Sequence, residues 1–186
     1  MNSISSSIIV PARLVFLMWA VYYVDKLFPG QFGVFGILPR TVRGLIGILT
    51  APLLHGSVAH LVSNTMPLLI LGTVLYMFYD RIASRVFLQC YLLTGLLVWL
   101  FGRQFYHIGA SGLIYGLASF LMFFGLFRRD FRSLLISIII VIFYGSIFYG
   151  VLPTQPGVSW ESHLLGGIVG LFNAVNTSAY KRISSH

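Results

Sequence analysis

Apolar residues run along this chain in long blocks rather than at alternate positions, and charged residues separate the blocks at intervals near the length of a membrane-crossing helix. Six helical spans are predicted, at 8–28, 60–79, 86–102, 111–127, 133–151 and 163–180. The first carries Pro11 in its opening turn, where a missing N–H costs nothing. The fifth is rich in β-branched residues, but a bilayer admits extended chain only in a closed barrel, so a helix is expected there too. A Gly- and Pro-rich stretch at 29–54 is too apolar for a solvated loop. It reads as an interfacial segment with a short helix at 44–51.

Polar residues interrupt this pattern at three places: His55-Gly56-Ser57-Val58-Ala59-His60-Leu61-Val62-Ser63-Asn64, Gly109-Ala110-Ser111-Gly112 and Ser162-His163-Leu164-Leu165-Gly166-Gly167. Each sits at the opening of an even-numbered span. Alternate crossings make spans two, four and six run in the same direction, so the clusters share one depth in the bilayer. Polar groups at that depth are costly and face a bundle interior or a water-filled cavity. One shared aqueous site is therefore expected.

Composition narrows the class. Of 186 residues 58% are hydrophobic and 9% charged, with a mean hydropathy of +0.90, too little charge to cover a water-soluble surface. The expected fold is all-α, a polytopic membrane protein with one membrane domain over 1–186 and no soluble domain. A net charge of +8 would point to nucleic acid in a soluble protein; here the basic residues flank apolar runs and report topology and anionic-lipid contact. Arg13, Arg81, Arg85, Arg128, Arg129, Arg132, Lys181 and Arg182 fall on one side, and Lys26, Arg40, Arg43 and Arg103 on the other. Eight against four places both termini in the cytoplasm of a cell-membrane protein, with the shared site opening to the extracytoplasmic side. Arg13 precedes an apolar run, but no small-x-small pattern precedes Asp25, so a retained helix is expected rather than a signal peptide. A lone Cys90 excludes an intrachain disulfide.

A serine framed by glycines at a helix mouth reads either as close packing or as a nucleophile. Ser111 and His163 make the minimal pair for acyl transfer, a hydroxyl and the imidazole that takes its proton. Gly112 with Gly116, and Gly166 with Gly170, have the four-residue spacing that lets two helix backbones approach, and Gly167 is expected in the same helix contact. No acid is placed to complete a triad. Asp80 and Asp130 belong to cytoplasmic loops, Asp25 flanks the first span, and Glu161 is two residues from His163, so a dyad is expected. His60 and Asn64 share a helix face and, with the Ser111 amide, are candidate donors to an oxyanion; the same two side chains could instead bond to neighbouring helices. His55 reads as structural support, and His107 receives no role. A metal held by His55, His60 and His163 ranks below the serine chemistry for want of cysteine or carboxylate ligands, so neither metal nor cofactor is expected.

Taken together, Gly109-Ala110-Ser111-Gly112 followed by Tyr115, His60 with Asn64, and His163 followed by Gly166-Gly167 resemble the signature of the rhomboid intramembrane serine proteases, over roughly 34–176. The resemblance implies Ser111 as nucleophile, His163 as base, and Tyr115 as the aromatic packed on His163. It also implies an oxyanion site from His60, Asn64 and the Ser111 amide, a turn shaped by Gly109 and Ala110, and a supporting His55. In place of the Trp-Arg pair of many rhomboids, the first loop has Leu38-Pro39-Arg40-Thr41-Val42-Arg43. The implied activity is a serine endopeptidase that cleaves transmembrane protein substrates in or near their membrane segments. Its partners are those substrates and the lipid bilayer, not nucleic acid. Two alternatives stand beside it. A rhomboid-like client-binding protein without catalysis would typically lack the serine or the histidine. A transporter would need a polar path that the spans at 86–102 and 133–151 do not offer.

Overall fold

The computed structural model describes residues 3–28, 32–153 and 157–183; Pro29, Gly30 and Gln31 of the expected interfacial stretch lie outside them. The described residues form α1 (Ile4–Ser7), α2 (Ile9–Leu27), α3 (Gly47–Thr50), α4 (Val58–Phe78), α5 (Asp80–Phe101), α6 (Ser111–Arg128), α7 (Phe131–Tyr144) and α8 (Trp160–Ile183). Tight 3-10 turns, Arg43–Leu45 and Ala51–Leu53, flank α3. Local chemistry sets several ends. Ser57 caps α4 by accepting the His60 amide at 3.1 Å, and Asp130 caps α7 by accepting the Ser133 amide at 2.9 Å.

Helix α6 is the axis of the bundle, with every residue from Gly112 to Met122 buried. Against it lies α8, close enough that a Cβ on Gly166 would strike the Gly112 carbonyl and one on Gly170 the Gly116 carbonyl. Those four glycines therefore lie at the contact between α6 and α8. Gly167 does not share that role, since a Cβ there meets nothing within 4 Å. It is turned about 100° from Gly166 on a 3.6-residue helix. Its carbonyl reaches α6 instead, accepting the Ser119 hydroxyl at 2.7 Å. On the far side α7 is joined to α6 by Ser137, whose hydroxyl donates to the Leu121 carbonyl at 2.7 Å and accepts the Gly125 amide at 3.1 Å.

Phe16, Leu88, Leu126 and Ile142 are among many large apolar side chains facing outward. A protein apolar both inside and out is solvated by lipid, and α4, α5 and α6 are each long and apolar enough to cross a bilayer. The chain is a polytopic helical membrane protein.

Several helix boundaries differ from the sequence reading, three of them with consequences for the site or the loops. Helix α5 begins at Asp80 rather than 86, because Arg81 and Arg85 sit at the helix end and long basic side chains can reach water while the backbone stays helical. Helix α8 begins at Trp160, which puts His163 within its first turn. The fifth apolar run is α-helical only to Tyr144 and then tightens into a 3-10 segment, Gly145–Val151.

The first loop is anchored by its own residues. The Arg40 guanidinium donates to the Leu100 and Gly102 carbonyls at 3.1 and 2.9 Å, and the Trp99 indole donates to the Thr41 carbonyl at 2.8 Å. Ile37 pairs with His107 in an isolated antiparallel bridge. The tryptophan and arginine thus come from different segments.

Candidate active site

The amino ends of α4, α6 and α8 converge on one cavity of about 800 Å³, walled also by the 3-10 segment after α7. Ser111, His163, His60, Asn64 and Tyr115 all line it. The Ser111 Oγ lies 2.9 Å from His163 Nε2, and His163 Nδ1 lies 2.8 Å from the Gly150 carbonyl oxygen. A carbonyl only accepts, so Nδ1 carries the hydrogen in the neutral ring. Nε2 is then the acceptor for the Ser111 hydroxyl. Tyr115 stacks face to face on the imidazole, with ring centroids 4.1 Å apart and planes 6° from parallel.

At Gly109 the backbone takes φ +106°, a conformation that L side chains rarely adopt, and its amide donates to the Ala51 carbonyl at 2.8 Å. The His60 ring packs on this glycine so closely that an added Cβ would lie 2.6 Å from His60 Nε2. Turn and ring therefore fit only because position 109 has no side chain. Ala110 is the residue before α6 and offers no side-chain cap, which leaves the Ser111 amide at an uncapped helix start. One Asn64 amide hydrogen is spent on its own helix, donated to the His60 carbonyl at 2.8 Å. Asn64 thus lines the cavity and bonds within its own helix, not, among the described residues, to a neighbouring one.

His55 is buried behind His60, with ring centroids 4.9 Å apart in an edge-to-face arrangement, and its Nδ1 faces the Leu53 carbonyl at 3.4 Å. Burial, and next the neighbouring His60, push its pKa down to about 4. It lines a separate hollow of about 270 Å³ with Tyr22, Asp25 and Phe32 rather than the cavity at Ser111. Among the described residues no three of histidine, cysteine, aspartate and glutamate gather as a metal site would require.

Two further groups hold the start of α8. His107 is buried between the Arg103 carbonyl, 3.0 Å from Nε2, and the Ser159 hydroxyl, 2.6 Å from Nδ1. Burial lowers its pKa, so the neutral ring donates from Nε2 and accepts from Ser159, whose oxygen in turn is 2.6 Å from that of Ser162. Glu161 forms an ion pair with Arg103, whose guanidinium also lies over the Phe105 and Trp160 rings. The acid beside His163 is thereby tied to the loop before α6. Sequence reasoning gave His107 no role and did not find Gly150. The spacing His107-x-Gly109 hinted at the first, while a main-chain acceptor leaves no side-chain signal.

Residues 42–179 match the rhomboid domain. An uncharacterized protein of Mycobacterium tuberculosis is 38% identical over 179 residues, covering 90% of this chain and 74% of the relative. A Mycobacterium bovis protein, also uncharacterized, matches to the same extent. One from Mycobacterium leprae is 36% identical over 175 residues, covering 89% of this chain and 69% of its own. The chain belongs to the rhomboid family.

Proposed function

We propose that the protein is an intramembrane serine endopeptidase working through a Ser111–His163 dyad. The observation that carries this reading is the 2.9 Å contact between Ser111 Oγ and His163 Nε2 at the wall of the cavity, with His163 Nδ1 bonded to a carbonyl. Ser111 Oγ attacks the scissile carbonyl while its proton passes to Nε2. The imidazolium then protonates the departing amine. A water entering the cavity gives its proton to the same nitrogen as it attacks the acyl-serine, and the serine is regenerated. The developing oxyanion is stabilised by the Ser111 amide, with the His60 ring and the remaining Asn64 N–H on the same cavity wall.

Substrates in this reading are membrane proteins cleaved in or near a transmembrane segment. Six crossings, with both termini cytoplasmic, would open the cavity to the extracytoplasmic side. Cleavage is tested by reconstituting the full chain in proteoliposomes with single-pass proteins whose outer helix ends carry small residues. Ser111→Ala abolishes turnover while leaving thermal unfolding in place; cleavage retained by that variant excludes the mechanism.

A further inference from the structure

In a serine hydrolase with three members, an acid holds the base in the tautomer that leaves its second nitrogen free to accept. No acid side chain contacts His163 among the described residues, since Glu161 is engaged by Arg103. What touches Nδ1 is the main-chain carbonyl of Gly150, at 2.8 Å. Gly150 lies in the 3-10 segment Gly145–Val151, and Ser146, Ile147 and Tyr149 of that segment wall the cavity beside it.

Resting on the dyad reading above, we propose that Gly150 is a positioning residue that acts through His163. Its carbonyl takes the part of the missing acid, and it must be glycine because the Tyr115 hydroxyl occupies the place of its Cβ. A Cβ at position 150 would collide with that hydroxyl, lie 3.0 Å from the Tyr115 Cζ and 3.3 Å from His163 Nδ1. The ring cannot simply yield, because it is stacked on His163 at 4.1 Å. Either the segment withdraws its carbonyl or the stack is broken. The segment that walls the cavity therefore also decides whether the base is correctly oriented, and no charged group is spent inside the membrane to do so.

Two measurements on the detergent-purified full chain test this. The first is the imidazole nitrogen spectrum of 15N-histidine-labelled protein near neutral pH, with the His163 signals identified by their loss in His163→Ala. Native His163 shows a protonated Nδ1 and a bare Nε2, and Gly150→Ala mixes the two forms. A protonated Nε2 in the native protein, or an unchanged spectrum in Gly150→Ala, overturns the proposal.

The second is the rate of labelling by a fluorophosphonate. Gly150→Ala lowers it by roughly 10²-fold, the scale of losing an oriented base. In a Tyr115→Phe background, where the colliding oxygen is gone, the same substitution costs only a few-fold relative to Tyr115→Phe alone. An equal loss in both backgrounds overturns the steric argument, and a lowered rate with the native tautomer intact assigns the effect to the Tyr115 stack instead. Should Gly150→Ala fail to fold, the native tautomer and the double variant still decide. If native protein is not labelled at all, it is the protease reading that fails, while the tautomer is read independently.

Discussion

The imidazole of His163 is held from three directions by groups of three kinds: a hydroxyl on Nε2, a main-chain carbonyl on Nδ1 and an aromatic face beneath the ring. None of these is charged. Its neighbour in the wall, His60, is backed by His55, which folding holds neutral with a pKa near 4 against the ordinary 6.5. The unfolded chain therefore binds more protons than the folded one between those values, and stability is fully present above about 6.5 and lost as pH falls toward 4. Thermal unfolding followed from pH 7 to pH 4 should show the midpoint falling, and His55→Gln should flatten that fall; an unchanged slope would remove His55 as its source. His107, lowered in the same direction by burial, accounts for part of the slope that remains. At this scale the sequence was legible where a side chain carries the chemistry inside a motif, and His107, whose ring bonds Arg103 and Ser159 outside one, was passed over. Tyr115 came only through the resemblance to the rhomboid signature, while Ser111 and His163 could be found because hydroxyl and imidazole are written in the residue names. Gly150 could not, because its contribution is a carbonyl that every residue possesses, and only the folded path of the chain brings it to His163.

At the scale of elements, the contact between α6 and α8 fixes the distance from serine to base. The Gly112 and Gly116 carbonyls lie where a Cβ on Gly166 or Gly170 would stand, so a methyl at either of those two has nowhere to go, whereas one at Gly167 points into open space. Gly170→Ala is expected to destabilise the protein by about 1–3 kcal/mol through overpacking. Gly167→Ala is expected to stabilise it by roughly 0.5–1 kcal/mol through helix propensity. Unfolding in detergent reads both, and equal effects would contradict the assigned faces. The four-residue glycine spacing announced this interface; what the pair Gly166-Gly167 could not reveal is which glycine faces inward, since that depends on the rotation of α8. Helix limits were less readable than helix existence. Charge ended the sequence-predicted spans, yet Arg81 and Arg85 ride inside α5, and the change to a 3-10 segment falls at Gly145-Ser146, a pair that the apolar residues on both sides masked.

Across the whole molecule, the apolar exterior and the helix lengths set the solvent, and the clustering of three helix openings sets the site. The basic residues add an orientation. The proposed orientation, with both termini cytoplasmic, predicts that a reporter fused to the C-terminus is active only in its cytoplasmic form, and activity only on the outer side would reverse the topology and the face from which water enters.

The central assertion is that Ser111 is activated by His163. Incubating the detergent-purified native chain with a fluorophosphonate tests it without knowledge of any substrate. Covalent labelling of the native chain, lost in both Ser111→Ala and His163→Ala, is the expected result. Well-folded native protein that stays unlabelled by a probe small enough for the 800 Å³ cavity, or labelling that survives in Ser111→Ala, would contradict it and favour a client-binding rhomboid over a protease.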